Sequence, residues 1–588
     1  MTRRDWIAAL ASPAVTAQPS GPRPNVVIIM VDDAGWWDFG ANGNPHIETP
    51  HIDRLAAEGV NFTNFHAQPV CAPTRASLMT GRHYLRTGVY NTRFGGDTMR
   101  ASEVTLPSIL RNHGYRTVLA GKWHLGAYAP YAPHNRGFEE SLSQAHGHLE
   151  RYWHPDQFRR NGRSVETRGH ITDVLTDAAI NAVRRRDPRP FFLFLSYNVP
   201  HSPHYISDEY VQRYLAKGLP LTQAQIYGQI THCDRGVGRL LAALDKEKLR
   251  DNTIVMFLSD NGGVSTFFNG GLRGRKASAF EGGTRVPFFA RWPGRFPAGA
   301  RVPAMACVQD ILPTVCELTG APLPHGVSLD GESIAGLMRR GRGDSPHDYL
   351  YAIWDRFQPR IDRSQWSIRG RRYKLVREQL FDLDTDPGER VDIAAVRPDI
   401  AREMRERFAA WLEEVTSGQT FEPPPIPVGH PDENPVEIQA SWARIHGSHV
   451  TWASASVDPG KEERLGDPAA GSAVNYTFAG YDWDTIDGWK NPGETATWKL
   501  DVWSAGVYDV TVSYGCDPET AGGMFRISAS GNAVEAEVRA TPSRNVFETR
   551  PAGALRLAKG AATLEVSVVG PGRGQELMTL NRIWLRKR

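Results

Sequence analysis

Cysteine is scarce in this sequence, and its spacing excludes the usual structural uses of the residue. The 588 residues include five cysteines: Cys71, Cys233, Cys307, Cys316 and Cys516. An odd number at irregular spacing is not a disulfide framework, and the lack of a C-x-x-C pair argues against a structural zinc site. Cys233, Cys307 and Cys316 stand among apolar residues, which predicts ordinary thiols of the hydrophobic core.

The sequence also has little net charge and no apolar run of membrane length. Its formal net charge is +3, which is too small to favour nucleic acid or an anionic membrane surface as a partner. No run approaches the roughly 18 apolar residues of a membrane span. The partner is therefore expected to be a small or polymeric solute that enters a cleft. A chain of this length is expected to fold as about two to four domains.

The first 20 residues differ from the rest. The stretch MTRRDWIAALASPAVTAQPS has a twin arginine at Arg3 and Arg4, a short and weakly apolar run, and then small residues up to Ala17. This pattern predicts a signal peptide of the twin-arginine type over residues 1–20, cut near Ala17. The protein is then exported, to the periplasm or the extracellular space. The alternative is an ordinary basic N-terminus.

Three unbroken apolar runs predict the central strands of an α/β domain. They are PNVVIIMV (24–31), PFFLFLSYN (190–198) and NTIVMFLSD (252–260), and amphipathic stretches lie between them. Strands without polar alternation are buried on both faces, as in sheets covered by helices. The expected fold is therefore α/β, with a large, mostly parallel or mixed sheet flanked by helices over residues 21–345.

Polar side chains follow each of these runs. Asp32 and Asp33 come directly after the first, His201 lies just beyond the second, and Asp260 and Asn261 close the third. In open α/β sheets, ligands bind in the crevice outside the carboxyl ends of the strands. The five side chains are therefore expected to converge on one site.

The pattern changes after about residue 345. Residues 346–420 predict strands, a turn and a closing helix, which together form a small α+β subdomain. The proline-rich stretch FEPPPIPVGHPDENP (421–435) predicts a semi-rigid linker. Short alternating runs separated by turn residues over 436–588 predict an all-β sandwich.

One cysteine stands in unusual surroundings. Cys71 lies in PVCAPTRASLMTGRH (69–83), at the head of a predicted helix. It is a core thiol, a thiolate nucleophile or a site of modification, and a thiolate enzyme would need a histidine base and an orienting Asn or Asp. The candidate neighbours Arg75, Lys122 and His124, together with the aspartates, fit another use. Acids would hold a hard divalent cation through oxygen atoms, and bases would hold an oxyanion.

The motif around Cys71 resembles the first signature of the type I sulfatases, the formylglycine-dependent branch of the alkaline phosphatase superfamily. GYRTVLAGKWH (114–124) resembles the second signature. The similarity continues through RPFFLFLSYNVPHSPH, LSDNGG and GLRGRKASAFEGGTRVPFFARWPG, and covers about residues 23–418. The resemblance implies an alkaline phosphatase-like fold and a sulfuric ester hydrolase of the arylsulfatase type.

The resemblance implies that Cys71 is not a thiol in the working enzyme. In this family a dedicated maturation enzyme oxidises the motif cysteine to formylglycine, and Cys71-x-Pro73-x-Arg75 contains the residues that it recognises. The aldehyde hydrates to a geminal diol, one hydroxyl of which attacks sulfur. The second hydroxyl allows sulfate to be expelled and the aldehyde to be restored.

The resemblance also implies roles for the surrounding residues. A calcium ion is implied at each active site, held by Asp32, Asp33, Asp260, Asn261 and the modified Cys71. Lys122 and Lys276 would bind the sulfate oxygens, and Arg75 and His124 the diol. His124 would also take the proton of the second hydroxyl, and His201 would protonate the leaving oxygen.

Two other functions are weighed against a sulfatase. Phosphonate and phosphodiester hydrolases also use formylglycine, but they typically carry Asp-His where this chain has Asp260 and Asn261. A catalytically inactive sulfoglycan-binding protein is the alternative of another class. The intact Cys71 and both lysines argue against it.

The substrate is left open between aryl sulfates and, slightly preferred, carbohydrate sulfates. The stretch AHGHLERYWHPDQFRRNGRS (145–164) contains His146, His148, Arg151, Tyr152, Trp153 and His154. Its histidines and arginine suit a second anionic group of the substrate; the alternative is an ordinary surface loop with aromatic anchors. The C-terminal part weakly resembles carbohydrate-binding jelly rolls, and Tyr481, Trp483 and Trp489 are candidates to stack on a sugar. Ser441 stands where such modules carry an acid. The sandwich is either a polysaccharide-targeting module or a structural domain.

Overall fold

The computed structural model describes residues 22–149, 151–264, 267–355, 361–454, 484–574 and 576–588. The predicted signal peptide, Tyr481 and Trp483 lie outside these ranges. Within them, no helix has both the length and the apolar character that crossing a bilayer requires.

The first part of the chain alternates strands and helices. Its strands are β1 (Asn25–Asp32), β2 (Val60–Phe62), β3 (Phe65–His66), β4 (Arg116–Lys122), β5 (Glu140–Gln144), β6 (Arg159–Arg160), β7 (Arg163–Ser164), β8 (Phe191–Pro200), β9 (Thr253–Ser259), β10 (Arg285–Val286), β11 (Phe288–Arg291), β12 (Ala300–Val302) and β13 (Ala306–Cys307). Its helices are α1 (Pro50–Ala57), α2 (Cys71–Thr80), α3 (Leu106–Asn112), α4 (Ile171–Arg184), α5 (Asp208–Leu215), α6 (Leu221–Lys246), α7 (Glu281–Thr284), α8 (Ile311–Thr319) and α9 (Ala335–Arg340).

Ten of these strands form one mixed sheet in the order β12-β2-β11-β9-β1-β8-β4-β5-β6-β7. The centre, from β9 to β5, is parallel, whereas β11 runs antiparallel to β9. The three apolar runs of the sequence are the neighbouring strands β9, β1 and β8. The predicted α/β fold with a large mixed sheet is thereby confirmed.

Both faces of the sheet are covered, which explains the unbroken apolar runs. In β1, Val26 and Ile28 belong to one hydrophobic cluster, and Val27 and Ile29 belong to the other. Helices α2, α3 and α8 contribute to the first cluster, and α1, α4 and α6 to the second. In such a layered arrangement, every residue of a central strand faces apolar neighbours.

Residues 346–420 form an antiparallel sheet with one covering helix. The strands are β14 (Tyr349–Trp354), β15 (Gln365–Gly370), β16 (Tyr373–Val376) and β17 (Gln379–Asp382), and the helix is α10 (Pro398–Thr416). Phe408 of α10 stacks on Trp366 with the ring centroids 4.2 Å apart. Buried Lys374 of β16 binds Glu281 of α7 at 2.9 Å. The subdomain therefore shares both a core and an ion pair with the large sheet.

The C-terminal part is a sandwich of two β-sheets. Its strands are β18 (Ile426–Val428), β19 (Val436–Gln439), β20 (Arg444–His446), β21 (Thr451–Ser454), β22 (Asp484–Asp487), β23 (Thr495–Val502), β24 (Gly506–Gly515), β25 (Met524–Ala529), β26 (Asn532–Glu537), β27 (Glu548–Leu557), β28 (Gly560–Gly570) and β29 (Thr579–Lys587). One sheet has the order β18-β23-β28-β25-β26 with β20 also on β23, and the other β21-β22-β29-β24-β27 with β19 also on β29. Alternate residues of β23 are buried in the shared core, which is the period of a strand with one face inward.

Two expectations for this part need correction. The stretch 421–435 is not a simple linker, because β18 within it pairs in parallel with β23 of the sandwich. Trp489 is not available to stack on a sugar: its side chain is fully buried in the sandwich core, and its Nε1 donates to the carbonyl of Ile486 at 2.8 Å. A tryptophan side chain is stable in an apolar core when its indole N–H has a hydrogen-bond acceptor there.

The sandwich packs directly against the α/β part. The ring of Tyr128 belongs to the sandwich core and meets Trp442 edge to face, with the centroids 4.9 Å apart. The Ala129 N–H donates to Glu433 Oε2 at 2.8 Å, and Asn135 Nδ2 donates to Asp432 Oδ2 at 3.1 Å. The segment 128–135 thus fixes the sandwich beside the end of β4.

The interface carboxylate Glu433 predicts a pH-dependent stability. Burial raises its pKa from 4.5 to about 7. Its contribution to folding stability is therefore fully present below pH 4.5 and is lost as the pH rises to about 7. We expect Glu433→Gln, which keeps an acceptor for Ala129, to match the wild type near pH 4.5 and to unfold at a higher temperature above pH 7. Thermal unfolding between pH 4.5 and 8.5 measures this difference.

Glu422→Gln is a control of opposite sign. Hydrogen bonds from Lys499 and Arg444 lower the pKa of Glu422, so removing that charge should destabilise the protein near neutral pH. The raised pKa of Glu433 would be contradicted if the melting temperatures of Glu433→Gln and the wild type differed by the same amount at every pH.

Candidate functional site

The ends of four neighbouring strands meet at one point of the large sheet. Asp32 closes β1, Lys122 closes β4, Asp260 directly follows β9, and His201 directly follows β8. These strands are parallel and adjacent, so their carboxyl ends lie at the same edge of the sheet. The structure thus brings together the residues that the sequence placed after separate strands.

Cys71 is the first residue of α2 and faces this edge. Its side chain is 3% exposed, and its sulfur lies within 4.8 Å of carboxylate oxygens of Asp32 and Asp33. Burial raises the pKa of the Cys71 thiol to about 12, although Lys122 and Lys276 act in the opposite direction. A thiol that stays protonated near neutral pH is a poor nucleophile. The site therefore does not suit thiolate catalysis.

Arg75, one turn after Cys71 on α2, holds the framework of the site. Its Nε and Nη2 donate to Asp260 Oδ2 at 3.2 and 2.8 Å, and its Nη1 donates to the Lys122 carbonyl at 3.1 Å and to Ser196 Oγ at 2.6 Å. These hydrogen bonds go to protein groups and not to the position of Cys71. Sequence reasoning missed Ser196, whose signal is a hydroxyl inside the apolar run of β8.

The lysines and the acids are interlocked. Lys122 Nζ donates to Asp32 Oδ2, and Lys276 Nζ lies 2.6 Å from Asp33 Oδ1. The Asn261 Nδ2 also donates to Asp33 Oδ1, at 2.9 Å. Burial and the nearby charge of Asp32 raise the pKa of Asp260 to about 6. The site thus contains several buried charges, and a bound cation would change how the lysines and aspartates pair.

Two oxygens in this set have no hydrogen-bond partner among the described residues. They are Asp32 Oδ1 and Asn261 Oδ1, and both are buried. Buried polar atoms normally have partners. Asp32, Asp33, Asp260 and Asn261 offer only oxygen as metal-ligating atoms, which is what a hard divalent cation prefers. The residues present therefore fit such an ion.

Two histidines near the lysines of the site have defined tautomers. The His124 Nε2 lies 2.8 Å from the Thr92 carbonyl, so this nitrogen donates, and the buried Nδ1 remains an acceptor without a described partner. His201 Nδ1 lies 2.7 Å from the Ser202 carbonyl, which leaves Nε2 directed toward Asp33 Oδ2 at 3.8 Å. Burial, together with nearby lysines, lowers the pKa of both rings well below the usual value.

Gly147 is required for the placement of His124. A Cβ on this residue would lie 2.1 Å from Cε1 of the His124 ring, a distance that no side chain tolerates. No local feature of the sequence indicates this close approach.

The stretch 145–164 divides into residues near the site and residues away from it. His146, His148 and Arg151 line a cleft of about 450 Å³, and the His148 ring lies 5.3 Å from the His201 ring. Tyr152 is buried and supports the turn at His201, since its hydroxyl donates to the His201 carbonyl at 2.8 Å. Trp153 and His154 are exposed and do not line the cleft.

A second group of possible metal ligands lies at Cys307, Asp310 and His347. The Asp310 carboxylate already accepts the backbone N–H groups of Cys307 and Glu332 at 2.8 and 2.9 Å, and His347 Nε2 lies 2.7 Å from its Oδ1. Satisfied hydrogen bonds explain this cluster. Cys233 and Cys316 are buried, as expected.

Acids, lysines and the cysteine of α2 lie together at the carboxyl ends of a large mixed sheet. This is the arrangement of hydrolases with the alkaline phosphatase-like fold. The sulfatase family profile matches residues 24–321, about half of the chain, and the profile for the C-terminal part of N-sulphoglucosamine sulphohydrolase matches residues 275–414. The chain belongs to the sulfatase family.

Individual relatives agree with this assignment. N-acetylgalactosamine-6-sulfatase of Canis lupus familiaris is 30% identical over 453 residues, which cover 66% of this chain and 85% of the relative. Human arylsulfatase A is 28% identical over 479 residues, covering 68% and 90%. The crystal structure of Ps i-CgsB in complex with k-i-k-neocarrahexaose is similar with a TM-score of 0.62 and 30% identity, covering 68% of this chain and 95% of that one.

A phosphonate monoester hydrolase of Agrobacterium radiobacter shares the fold, with a TM-score of 0.52 and 22% identity, covering 67% of this chain and 96% of that one.

Proposed function

We propose that this protein hydrolyses sulfate esters, carbohydrate sulfates in preference to aryl sulfates, with Cys71 as formylglycine and a calcium ion beside it. The observation that carries the proposal is the surroundings of Cys71: a buried thiol, four side chains with oxygen ligands, two oxygens without partners, and two lysines. A thiol gains nothing from such neighbours, whereas an oxygen nucleophile and a sulfate group do.

Asp32, Asp33, Asp260 and Asn261 would hold the cation. When bound, it would lower the pKa of the attacking hydroxyl and neutralise charge on the sulfate. Arg75 positions Asp260 through its two donated hydrogen bonds. This buried ion pair holds Asp260 in position before the cation or the substrate binds.

Lys122 and Lys276 would bind the sulfate oxygens. Each now neutralises an aspartate, and a cation bound to those aspartates would free the ammonium groups to face an anion. Charged donors in a buried site are effective because they require little reorganisation during the reaction.

The histidines would move the protons. His124 Nδ1 is the acceptor of a neutral ring held by the Thr92 carbonyl, so it suits removal of a proton from the hydroxyl at Cys71. His201 has its Nε2 directed into the site. Once the ring is protonated beside the anionic sulfate ester, this nitrogen would donate a proton to the leaving oxygen.

The relatives support a carbohydrate substrate. Ps i-CgsB binds a neocarrahexaose, and N-acetylgalactosamine-6-sulfatase is named for a sulfated amino sugar. The cleft beside His201 is lined mostly by polar residues, which suits a sugar better than an apolar aryl group.

Release of inorganic sulfate tests the function. The panel is 4-nitrophenyl sulfate, N-acetylgalactosamine 6-sulfate and k-i-k-neocarrahexaose, with phenyl phosphonate and bis-4-nitrophenyl phosphate as rivals. We expect sulfate release to exceed phosphonate or phosphodiester cleavage by at least about a hundredfold in kcat/KM. Faster cleavage of either phosphorus substrate would assign the alternative hydrolase class, and protein with verified formylglycine that cleaves no member would be the inactive binding protein.

Replacing His201 predicts a dependence on the leaving group. We expect His201→Gln to lower kcat about a hundredfold or more for a sugar sulfate, because an alkoxide leaves poorly without a proton. For 4-nitrophenyl sulfate, whose phenolate leaves readily, the loss should be tenfold or less. Initial rates on both substrates measure the ratio, and His204→Gln, a buried histidine bonded to Gln229, is the control. Equal losses on both substrates would contradict the role of His201.

A further inference from the structure

The cleft beside His201 has walls from two parts of the chain. Gln144, His146, Arg151 and Arg159 of the α/β part stand on one side, and Gln439 of β19 and Arg582 of β29 stand on the other. The two walls touch where Gln439 Nε2 lies 3.0 Å from His146 Nε2. At about 450 Å³ the cleft is of the size that holds a small ligand. The sandwich thus borders this space.

The cleft continues directly from the catalytic residues. Gln144 pairs in register with Lys122, and the His124 N–H donates to the Ala145 carbonyl at 3.1 Å. His148, which also lines the cleft, lies beside His201. Because His201 faces the leaving oxygen in the proposed reaction, the cleft lies where the alcohol portion of the substrate would extend.

Two buried amides in the cleft have carbonyl oxygens without a described partner. They are Gln144 Oε1 and Gln439 Oε1, in side chains that are 1% and 5% exposed. A buried acceptor left unpaired costs about 1–3 kcal/mol. Hydroxyl groups of a sugar are donors that would satisfy both oxygens once the two amides turn them toward the cleft.

The charges of the cleft point to a further anionic group. Three arginines, Arg151, Arg159 and Arg582, line it with two acids, Asp156 and Glu437. Glu437 pairs with Arg582 at 3.0 Å, while Arg151 and Arg159 form no ion pair with a described residue. Guanidinium groups bind sulfate and carboxylate through paired hydrogen bonds.

We propose that the sandwich is part of the substrate-binding site, and that the substrate is a sulfated oligosaccharide whose leaving portion lies between β19 and the 145–164 stretch. Gln144 and Gln439 accept hydrogen bonds from its hydroxyls, Arg582 of the sandwich donates to it across the cleft, and Arg151 and Arg159 bind a second anionic group. The sandwich then selects the substrate at the reacting centre instead of tethering the enzyme to a distant polymer. This inference rests on the proposed sulfatase function.

Kinetics of cleft variants test the inference. The substrates are 4-nitrophenyl sulfate and whichever of k-i-k-neocarrahexaose and a 6-sulfated N-acetylgalactosamine tetrasaccharide the wild type cleaves faster. We expect Gln439→Leu and Arg582→Ala each to raise KM for the oligosaccharide about tenfold with kcat nearly unchanged, because they remove binding and leave the chemistry. The ratio of kcat/KM for oligosaccharide to that for aryl sulfate should fall by the same factor. Arg586→Ala, an exposed arginine of β29 outside the cleft, should leave that ratio unchanged.

Binding without turnover provides a second measurement. Titration of the oligosaccharide into Cys71→Ala protein by calorimetry should give an affinity that Gln439→Leu weakens about tenfold. An unchanged KM and affinity in both sandwich variants, at unchanged melting temperature, would overturn the inference. So would a wild type that cleaves aryl sulfate but none of the oligosaccharides, which would leave the sulfatase function intact. Absence of any sulfate release would reject the proposed function itself.

Discussion

Cys71→Ala is expected to lower turnover of every sulfate ester by at least about four orders of magnitude. Removal of a catalytic nucleophile has effects of this size or larger, because the remaining groups only bind and polarise the substrate. Cys71 is buried at the start of α2 beside Asp32 and Asp33, and alanine has no thiol for the maturation enzyme to convert. Sulfate release from 4-nitrophenyl sulfate at saturating substrate measures the loss.

Mass spectrometry gives the covalent readout for the same residue. The peptide containing Cys71 should carry formylglycine when the protein is made together with the maturation enzyme, and unmodified cysteine when it is made without it. Activity should rise in proportion to the modified fraction. Cys233→Ala, which removes another buried thiol of the α/β part, should keep nearly full activity. A fully active protein with an unmodified thiol at position 71 would refute the assignment.

Asp260→Asn is expected to lower kcat about a thousandfold and to abolish calcium binding. The substitution keeps the shape of the side chain but removes the charge of one of the four proposed metal ligands. It also leaves the buried Arg75 guanidinium without the carboxylate to which it donates two hydrogen bonds. Breaking a buried ion pair costs about 3–5 kcal/mol, so the melting temperature should fall as well. Calcium titration calorimetry, sulfate release and thermal unfolding measure the three effects.

Controls separate loss of metal from loss of stability. Asp234→Asn changes another buried aspartate, one that accepts the backbone N–H groups of His51 and Ile52, and should leave calcium binding intact. Asn261→Leu removes a ligand oxygen without disturbing Arg75 and should weaken calcium binding with a smaller loss of stability. Full activity of the wild type in excess chelator, with metal removal confirmed by elemental analysis, would count decisively against a metal-dependent reaction.

Much of the fold was predictable because burial on two faces leaves a strong mark in the sequence. The runs at 24–31, 190–198 and 252–260 became the adjacent strands β1, β8 and β9, since only apolar residues fit between two helical layers. The convergence of Asp32, His201 and Asp260 followed from the same logic, because parallel neighbours end at one edge of the sheet.

Other features had no local signal. Proline composition predicted a semi-rigid linker at 421–435, yet β18 pairs with β23, some 70 residues further along the chain. A tryptophan can bind a sugar or fill a core, and the sequence around Trp489 does not distinguish the two. Its burial depends on the strands of the sandwich that pack against it. Ser196 and Gly147 matter only through their contacts with Arg75 and His124.

The sequence by itself determined the residues on which the proposed chemistry depends, since the motif around Cys71, the acids after the strands and the two lysines can be recognised by residue type and order. Tertiary structure decided the surroundings of that chemistry: which groups pair in the buried site, and where the sandwich lies. Gln439 and His146 meet across 293 positions of the chain, and a contact between two separately folded parts leaves no periodicity in either. Local patterns follow from burial and backbone geometry, whereas such a contact depends on how complete surfaces fit together.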